Sequence, residues 1–223
     1  MSGRSDVPKG ALRVAVPAFL GETKLCHDLA AFSSAHPQVR LTVSFSDTPS
    51  DLLRDGFDLA IRAGRLEESS HKSRKLAEMP RLLVASSRYV ASKTKRDSRV
   101  PCVPRDVADW DFVKLSSRPA EVSLSSPGKK PVVLSFEPKL SVDSAAAMRE
   151  LVLAGAGLAT VPEVIVREDL RKGRLVDVLP EWRPQTVGVF ALWPDNAQRA
   201  RLTSRFLEFM AARTSALFAM PAP

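Results

Sequence analysis

The sequence predicts an α/β chain folded as two lobes joined by two crossing strands. Three observations carry this expectation. Apolar runs of strand length alternate with segments of helical period from the start of the chain, an order that builds a parallel sheet covered by helices. Near residue 86 the composition shifts toward Ser, Lys, Arg and Pro through residue 106, and a second α/β succession follows. A late apolar run, Val187–Trp193, then reads as the chain crossing back to the first lobe.

Leu12–Val16 is the first predicted strand, ended by Pro17. Leu20 to Phe32 carries apolar residues at Leu25, Leu29, Ala30 and Phe32, a helical spacing. Val39, Leu41, Val43 and Phe45 alternate along a second strand, and Asp51–Arg54 gives a short helix. Leu59-Ala60-Ile61, held between Asp58 and Arg62, is a buried parallel strand that stops at Ala63-Gly64, where a permissive backbone is needed. Arg81–Ser86 is the next strand.

In the second half, Phe112–Leu115 is a strand, Ser116–Pro131 a Ser/Pro/Gly-rich loop or loose hairpin, and Val132–Phe136 and Pro138–Val142 further strands. A helix over Ala145–Ala154, a strand Leu158–Val161, a helix Glu163–Arg171 with Pro162 at its first turn and a strand Leu175–Leu179 complete that lobe. After Val187–Trp193, Ala197–Ala212 forms a closing helix with Leu202, Phe206, Phe209 and Met210 on one side. The expected organisation is a disordered N-terminal tail over 1–10, lobe I over 11–85 plus 188–213, lobe II over 86–187, and a C-terminal tail over 214–223.

Composition narrows the function classes. With 44% hydrophobic and 26% charged residues the chain is globular, and a 6% aromatic share is low for a protein that stacks bases. The net charge of +8 is scattered over Lys72, Arg74 and Lys75, over Lys93, Lys95, Arg96 and Arg99, and over Arg199, Arg201 and Arg205. No aromatic residues interleave these groups, so they read as a solvated basic surface and not as a nucleic-acid interface. Cys26 and Cys102 lie far apart without a CxxC motif, which fits a reducing cytoplasm and offers no zinc site. The N-terminus lacks the apolar core of a secretion signal, and no apolar run is long enough to span a membrane.

A set of ordered matches adds a family expectation. DLLRDGFDLAIRAGRLEESSHKSRKLA over residues 51–77 is its longest mark, preceded by Ala11–Pro17 (ALRVAVP) and Phe32–Leu41 (FSSAHPQVRL). It continues with Arg81–Ser86, Ala154–Ala159 (AGAGLA), Gly173–Val176 and Ala191–Pro194. From Gly10 to Ala212 the chain resembles the effector-binding domain of LysR-type transcriptional regulators. The resemblance implies two Rossmann-like lobes arranged as in periplasmic binding proteins of type II, a small and often anionic effector between them, and side-by-side homodimers within tetramers. It also implies that Lys24–Phe32 and Val39–Phe45 of one protomer pack against Ala145–Ala154 of its neighbour. Two departures qualify the likeness. No winged helix-turn-helix precedes Leu12, so DNA would be reached only through a helix-turn-helix domain absent from these residues. Ser141-Val142-Asp143-Ser144 stands where relatives often carry Val-Asn-Asp, which leaves the effector contacts open.

Ligands of open α/β sheets bind beyond the carboxyl ends of the strands, where helix N-termini present free N–H groups. That rule selects Pro17, Ala18 and Phe19 after the first strand, Arg62, Ala63 and Gly64 after the third, Ser141, Asp143 and Ser144 before the second-lobe helix, and Thr160. Arg62 suits a carboxylate, since a guanidinium offers two parallel donors; the alternative is a structural ion pair with Asp58 or Glu67. Ser144 or Asp143 can face a ligand or cap the helix starting at Ala145, and Thr160 has the same ambiguity. Phe19 is either an apolar wall of the site or core packing.

Catalysis is not expected. The sequence has no G-x-S-x-G elbow, no phosphate loop despite Gly128-Lys129-Lys130, and no dinucleotide fingerprint at Gly155 and Gly157. His27, His36 and His71 form no constellation and read as solvated, so neither a metal nor a cofactor is anticipated. A transport-type solute-binding module with the same bilobal fold is the main alternative. An enzyme on that scaffold and direct DNA binding by this chain are the remaining ones.

Overall fold

The structure, a computed structural model, describes residues 8–47, 52, 54–64, 71–97, 100–195 and 200–218. It divides into two compact units, Met1–Glu78 with Gly188–Pro223 and the continuous segment Met79–Val187. The first crossing therefore falls at Glu78/Met79 and not near residue 86. The strand Arg81–Ser86 belongs to the second unit because its edges pair with strands of that unit on both sides.

Unit 1 is built on β1 (Gly10–Val16), β2 (Val39–Phe45), β3 (Leu59–Ala63), β4 (Lys72–Met79) and β13 (Val187–Trp193), in the order β2-β1-β3-β13-β4. β1 runs parallel to β2 and β3, and β13 closes antiparallel on β3. Alternation sends Leu12, Val14 and Val16 to one face, all at most 3% exposed, while Ala15 joins Leu52 and Ala60 in a smaller apolar cluster. α1 (Leu25–Ala35) meets α5 (Ala200–Phe218) through Phe32, which is fully buried and lies edge-on to Phe206 at 4.9 Å and Phe209 at 5.3 Å. Arg213 covers the ring of Phe209 and reaches Asp28 of α1 at 3.4 Å.

Several boundaries differ from expectation. Gly10 is already paired with Val39, so the sheet begins inside the expected tail. Ala18–Glu22 is a 3-10 turn, not the start of α1, because Thr23 breaks the run, its hydroxyl donating to the Leu20 carbonyl at 2.6 Å and accepting from the Leu25 N–H at 3.2 Å. α5 continues to Phe218 because Leu217 and Phe218 are buried. Residues 51 and 53 of the expected Asp51–Arg54 helix, and 197–199 of the closing helix, lie outside the described residues.

Unit 2 contains β5 (Arg81–Ser86), α2 (Ser87–Asp97), β6 (Phe112–Leu115), β7 (Glu121–Ser125), β8 (Val132–Ser135) and β9 (Pro138–Val142). It continues with α3 (Ala145–Leu153), β10 (Ala159–Pro162), α4 (Glu163–Arg171), β11 (Leu175–Asp177) and β12 (Arg183–Pro184). β5 is flanked antiparallel by β10 and β11, β6 pairs parallel with β9, and a parallel bridge from Phe112 to Leu158 joins the two sets. The segment Ser116–Pro131, expected as a loop or loose hairpin, carries the first arm of a hairpin: β7, whose Val122 and Leu124 alternate inward, pairs antiparallel with β8 and also with β12. Phe112 stacks on Phe136 at 4.0 Å in a core that also holds Leu83, Tyr89, Trp110, Leu158 and Trp182.

Two features lock this unit. Gly157 has φ +140, and a Cβ there would sit 2.3 Å from the Asp111 carbonyl oxygen, so only glycine lets the two backbones approach. Asp169 of α4 is fully buried and accepts from Arg149 of α3 at 2.6 Å and from Arg174, before β11, at 2.5 and 2.9 Å.

Candidate functional site

The sequence-selected residues divide by unit. In unit 1 the register Val14↔Leu59 and Ala15↔Ala60 brings the carboxyl ends of β1 and β3 out side by side. Pro17 and Ala18 are half-buried in the turn after β1, and Phe19 beside them is 7% exposed, which makes it a core side chain with little surface to offer. Arg62 and Ala63 end β3 opposite Phe190 and Val189, and Gly64 follows with φ +141, its N–H donating to the Gly188 carbonyl at 3.0 Å. Arg62 is half-buried and engaged by its surroundings, and burial lowers its guanidinium pKa. The positive φ matches the backbone permission that Ala63-Gly64 suggested.

In unit 2, Ser141 of β9 pairs with Lys114 of β6, and Asp143 is exposed in the bend that follows. Ser144 caps α3: its Oγ accepts from the Ala147 N–H at 3.4 Å. Thr160 is half-buried in β10 opposite Leu83. Ser141, Asp143 and Ser144 thus lie at one carboxyl end, and Thr160 lies on the strand reached from β6 through Leu158.

Three cations at this end of unit 2 were not singled out from the sequence. Lys114 turns its Nζ onto the carbonyl oxygens of Leu115 at 3.1 Å, Ser116 at 3.3 Å and Arg118 at 2.7 Å, bracing the turn after β6. Arg81 opens β5 opposite Pro162, the last residue of β10, and its Nε donates to the Gln185 carbonyl at 2.9 Å. Burial and the nearby Arg118 lower the Arg81 pKa to about 10, which still leaves it charged at neutral pH. Neither arginine carries a local signal: Arg81 is the first residue of an apolar run and Arg118 sits in a Ser-rich turn. Only the antiparallel return of β5 brings Arg81 to this end.

Among the described residues, no group of three His, Cys, Asp or Glu could hold a metal ion, and no helix is long and apolar enough to cross a membrane. The histidines are not alike. His27 is exposed, His36 lies against Phe32 at 4.5 Å, and His71 has a buried Nε2 without a hydrogen-bond partner, so His71 departs from the solvated reading.

The chain crosses twice between its two α/β units, and the candidate polar residues lie on or beside strands of each. Comparison with known proteins gives the family. The model of the LysR substrate binding domain matches residues 5–215, and the chain belongs to that family. It is 30% identical over 206 residues to YhjC of Escherichia coli K12, an uncharacterized HTH-type transcriptional regulator, covering 91% of this chain and 67% of that protein. It is 29% identical to the HTH-type transcriptional regulator PtxR of Pseudomonas aeruginosa, covering 90% and 63%. The chain thus spans about two thirds of the length of these curated relatives.

Solved structures agree on the fold. Full-length AphB of Vibrio cholerae, a virulence activator, superposes with a TM-score of 0.75 at 24% identity over 92% of this chain and 68% of that one. The regulatory domain of CrgA from Neisseria meningitidis gives 0.73 at 23% identity over 90% and 98%. The fold class is the two-lobed, periplasmic-binding-protein-like one expected from the sequence.

Proposed function

We propose that this chain is the effector-sensing and oligomerising part of a LysR-type transcriptional regulator, acting in the cytoplasm as a homodimer or tetramer and without catalysis. The family match over residues 5–215 carries this reading. A small anionic metabolite is the effector, and transcription changes because it binds two arrangements of the protein with different affinity. DNA is contacted through a helix-turn-helix of the kind named in the relatives' descriptions. The contacts proposed in unit 1 are Pro17, Ala18, Arg62, Ala63 and Gly64, with Phe19 behind them. In unit 2 they are Ser141, Asp143, Ser144 and Thr160.

A thermal-shift screen against organic acids, aromatics and amino acids tests this, because a ligand that binds only the folded state raises the midpoint by mass action. At least one class should stabilise the wild-type protein, with a smaller shift in Arg62→Ala. Equal stabilisation of both proteins would remove Arg62 from the site. Turnover of a stabilising compound would replace the sensor reading with an enzymatic one.

A further inference from the structure

We infer that unit 2 holds an oxyanion-binding basin of its own, built from the side chains of Arg81 and Arg118 above the turn that Lys114 braces, and that the anionic group of the effector seats there. The second clause rests on the sensor reading; the first stands without it.

Placement comes from strand register. Arg81 is opposite Pro162, so it lies at the carboxyl end of β10. Lys114 and Arg118 bracket the exit of β6, which is joined to the segment entering β10 through Phe112 and Leu158. Lys114 Nζ stands 2.7 Å from the Arg118 carbonyl oxygen, tying the two residues into one turn, and the Arg118 N–H donates to the Leu115 carbonyl at 3.0 Å. Arg118 is exposed and Arg81 half-buried, so the arginines differ in depth but share one end of the unit.

Among the described residues, the acceptors of Lys114 and Arg81 are all backbone carbonyls, and no carboxylate forms an ion pair with any of the three cations. Glu163, next to Pro162, is held in both of its oxygens by Arg167 at 2.8 Å and is not their counter-ion. Elsewhere in the same unit cations sit on carboxylates, as Arg149 and Arg174 do on Asp169. Arg118 lies near enough to disfavour the charge on Arg81, and an anion bound by both relieves that repulsion. With the Arg81 Nε committed to Gln185, both of its Nη groups remain on the planar fork for a second acceptor. A guanidinium fork fits a planar carboxylate and a tetrahedral sulfate or phosphate, so oxyanion is the chemical class.

The test uses the whole 223-residue chain, titrated by thermal shift with sodium acetate, sulfate and phosphate at constant ionic strength set by sodium chloride. The wild type should show a saturable rise in Tm with at least one of them. Arg118→Gln should weaken its midpoint at least tenfold, as loss of a charge-assisted hydrogen bond requires. Arg81→Lys, which keeps the charge but loses the fork, should weaken it as well, and Arg205→Gln, on the exposed face of α5 in unit 1, should leave it unchanged. General salting effects grow without saturation and are common to all variants. No saturable component in the wild type, or an equal midpoint in Arg118→Gln, overturns the basin. If Arg81→Lys does not fold, the exposed Arg118 decides alone. The acetate and tetrahedral arms identify the preferred geometry. An effector from the metabolite screen that binds Arg118→Gln as tightly as wild type overturns its seating here and leaves the sensor reading intact. Saturable sulfate binding with no metabolite hit does the reverse.

Discussion

Tyr89 and Asp111 bind each other twice: the Tyr89 hydroxyl donates to Asp111 Oδ2 at 2.9 Å, and the Asp111 backbone N–H donates back to the same hydroxyl oxygen at 2.9 Å. The pair fastens α2 to the segment that enters β6, with Trp110 edge-on to the Tyr89 ring at 5.7 Å. Tyr89→Phe keeps the ring and removes both bonds, leaving a half-buried N–H and a carboxylate oxygen short of a donor. Urea denaturation should show a loss of about 1–3 kcal/mol with the m-value unchanged.

Asp111 also gives an acid limit. The Tyr89 hydrogen bond first, then Lys93 and Lys139 at 3.4 Å each, hold its carboxyl below the ordinary range. A carboxyl whose folded pKa is depressed contributes stability above its unfolded pKa, near 4 for aspartate, and loses it as pH falls through the folded value. Unfolding free energy should therefore decline as pH drops below about 4. Asp111→Asn should flatten that decline in a pH series of denaturant midpoints; a slope identical to wild type would rule out Asp111 as its source.

Asp169 tests the buried network. With 0% side-chain exposure it satisfies two arginines from different elements, so Asp169→Ala leaves the half-exposed Arg174 without this carboxylate and Arg149 with Glu150 alone. Loss of these charge-assisted hydrogen bonds should cost about 1.5–3 kcal/mol. The variant should lose the cooperative unfolding of unit 2, seen as premature hydrogen exchange in α3 and α4.

Gly157→Ala should be destabilising by about 2–3 kcal/mol or more, since it combines a disfavoured φ with a Cβ set against the Asp111 carbonyl. The Leu158 N–H donates to that same carbonyl at 2.8 Å, so relief of the clash must open the bridge joining β6 to β10. Thermal denaturation of Gly157→Ala beside Gly173→Ala checks this, because Gly173 at φ +68 lies in the milder left-handed region and a Cβ there meets nothing within 4 Å, so its loss should be the smaller.

Apolar runs were legible from the sequence, and they covered β1, β2, β3, β5, β6, β8, β9, β10, β11 and β13. β4 escaped because Lys72, Ser73, Arg74 and Lys75 are all exposed on an edge strand, so its residues record solvent and not a sheet. α2, SRYVASKTKRD, turns little more than Tyr89 and Val90 to the core and reads as a polar linker. The candidate site was legible as strand ends, because that follows from topology. Of its charges, Arg62 and Asp143 were legible, and Arg81, Lys114 and Arg118 were not. Arg62 stands at the end of a parallel strand and can be found by counting, whereas Arg81 begins a strand that runs the other way, and it reaches the carboxyl end of β10 only after β5 has paired with β10.

The late arrival of β13 has a consequence for synthesis. Ile61 of β3 emerges from the ribosome long before Ala191, its partner, and in the interval all of unit 2 is made as one uninterrupted segment. Unit 2 can thus complete its contacts while unit 1 still holds β3 with an open edge and Phe32 without the aromatic rings of α5. Domains tend to fold as units during translation, and an unpaired strand edge is where nascent chains associate wrongly. The segment most exposed to that hazard in this protein is Leu59–Ala63, the strand that carries Arg62.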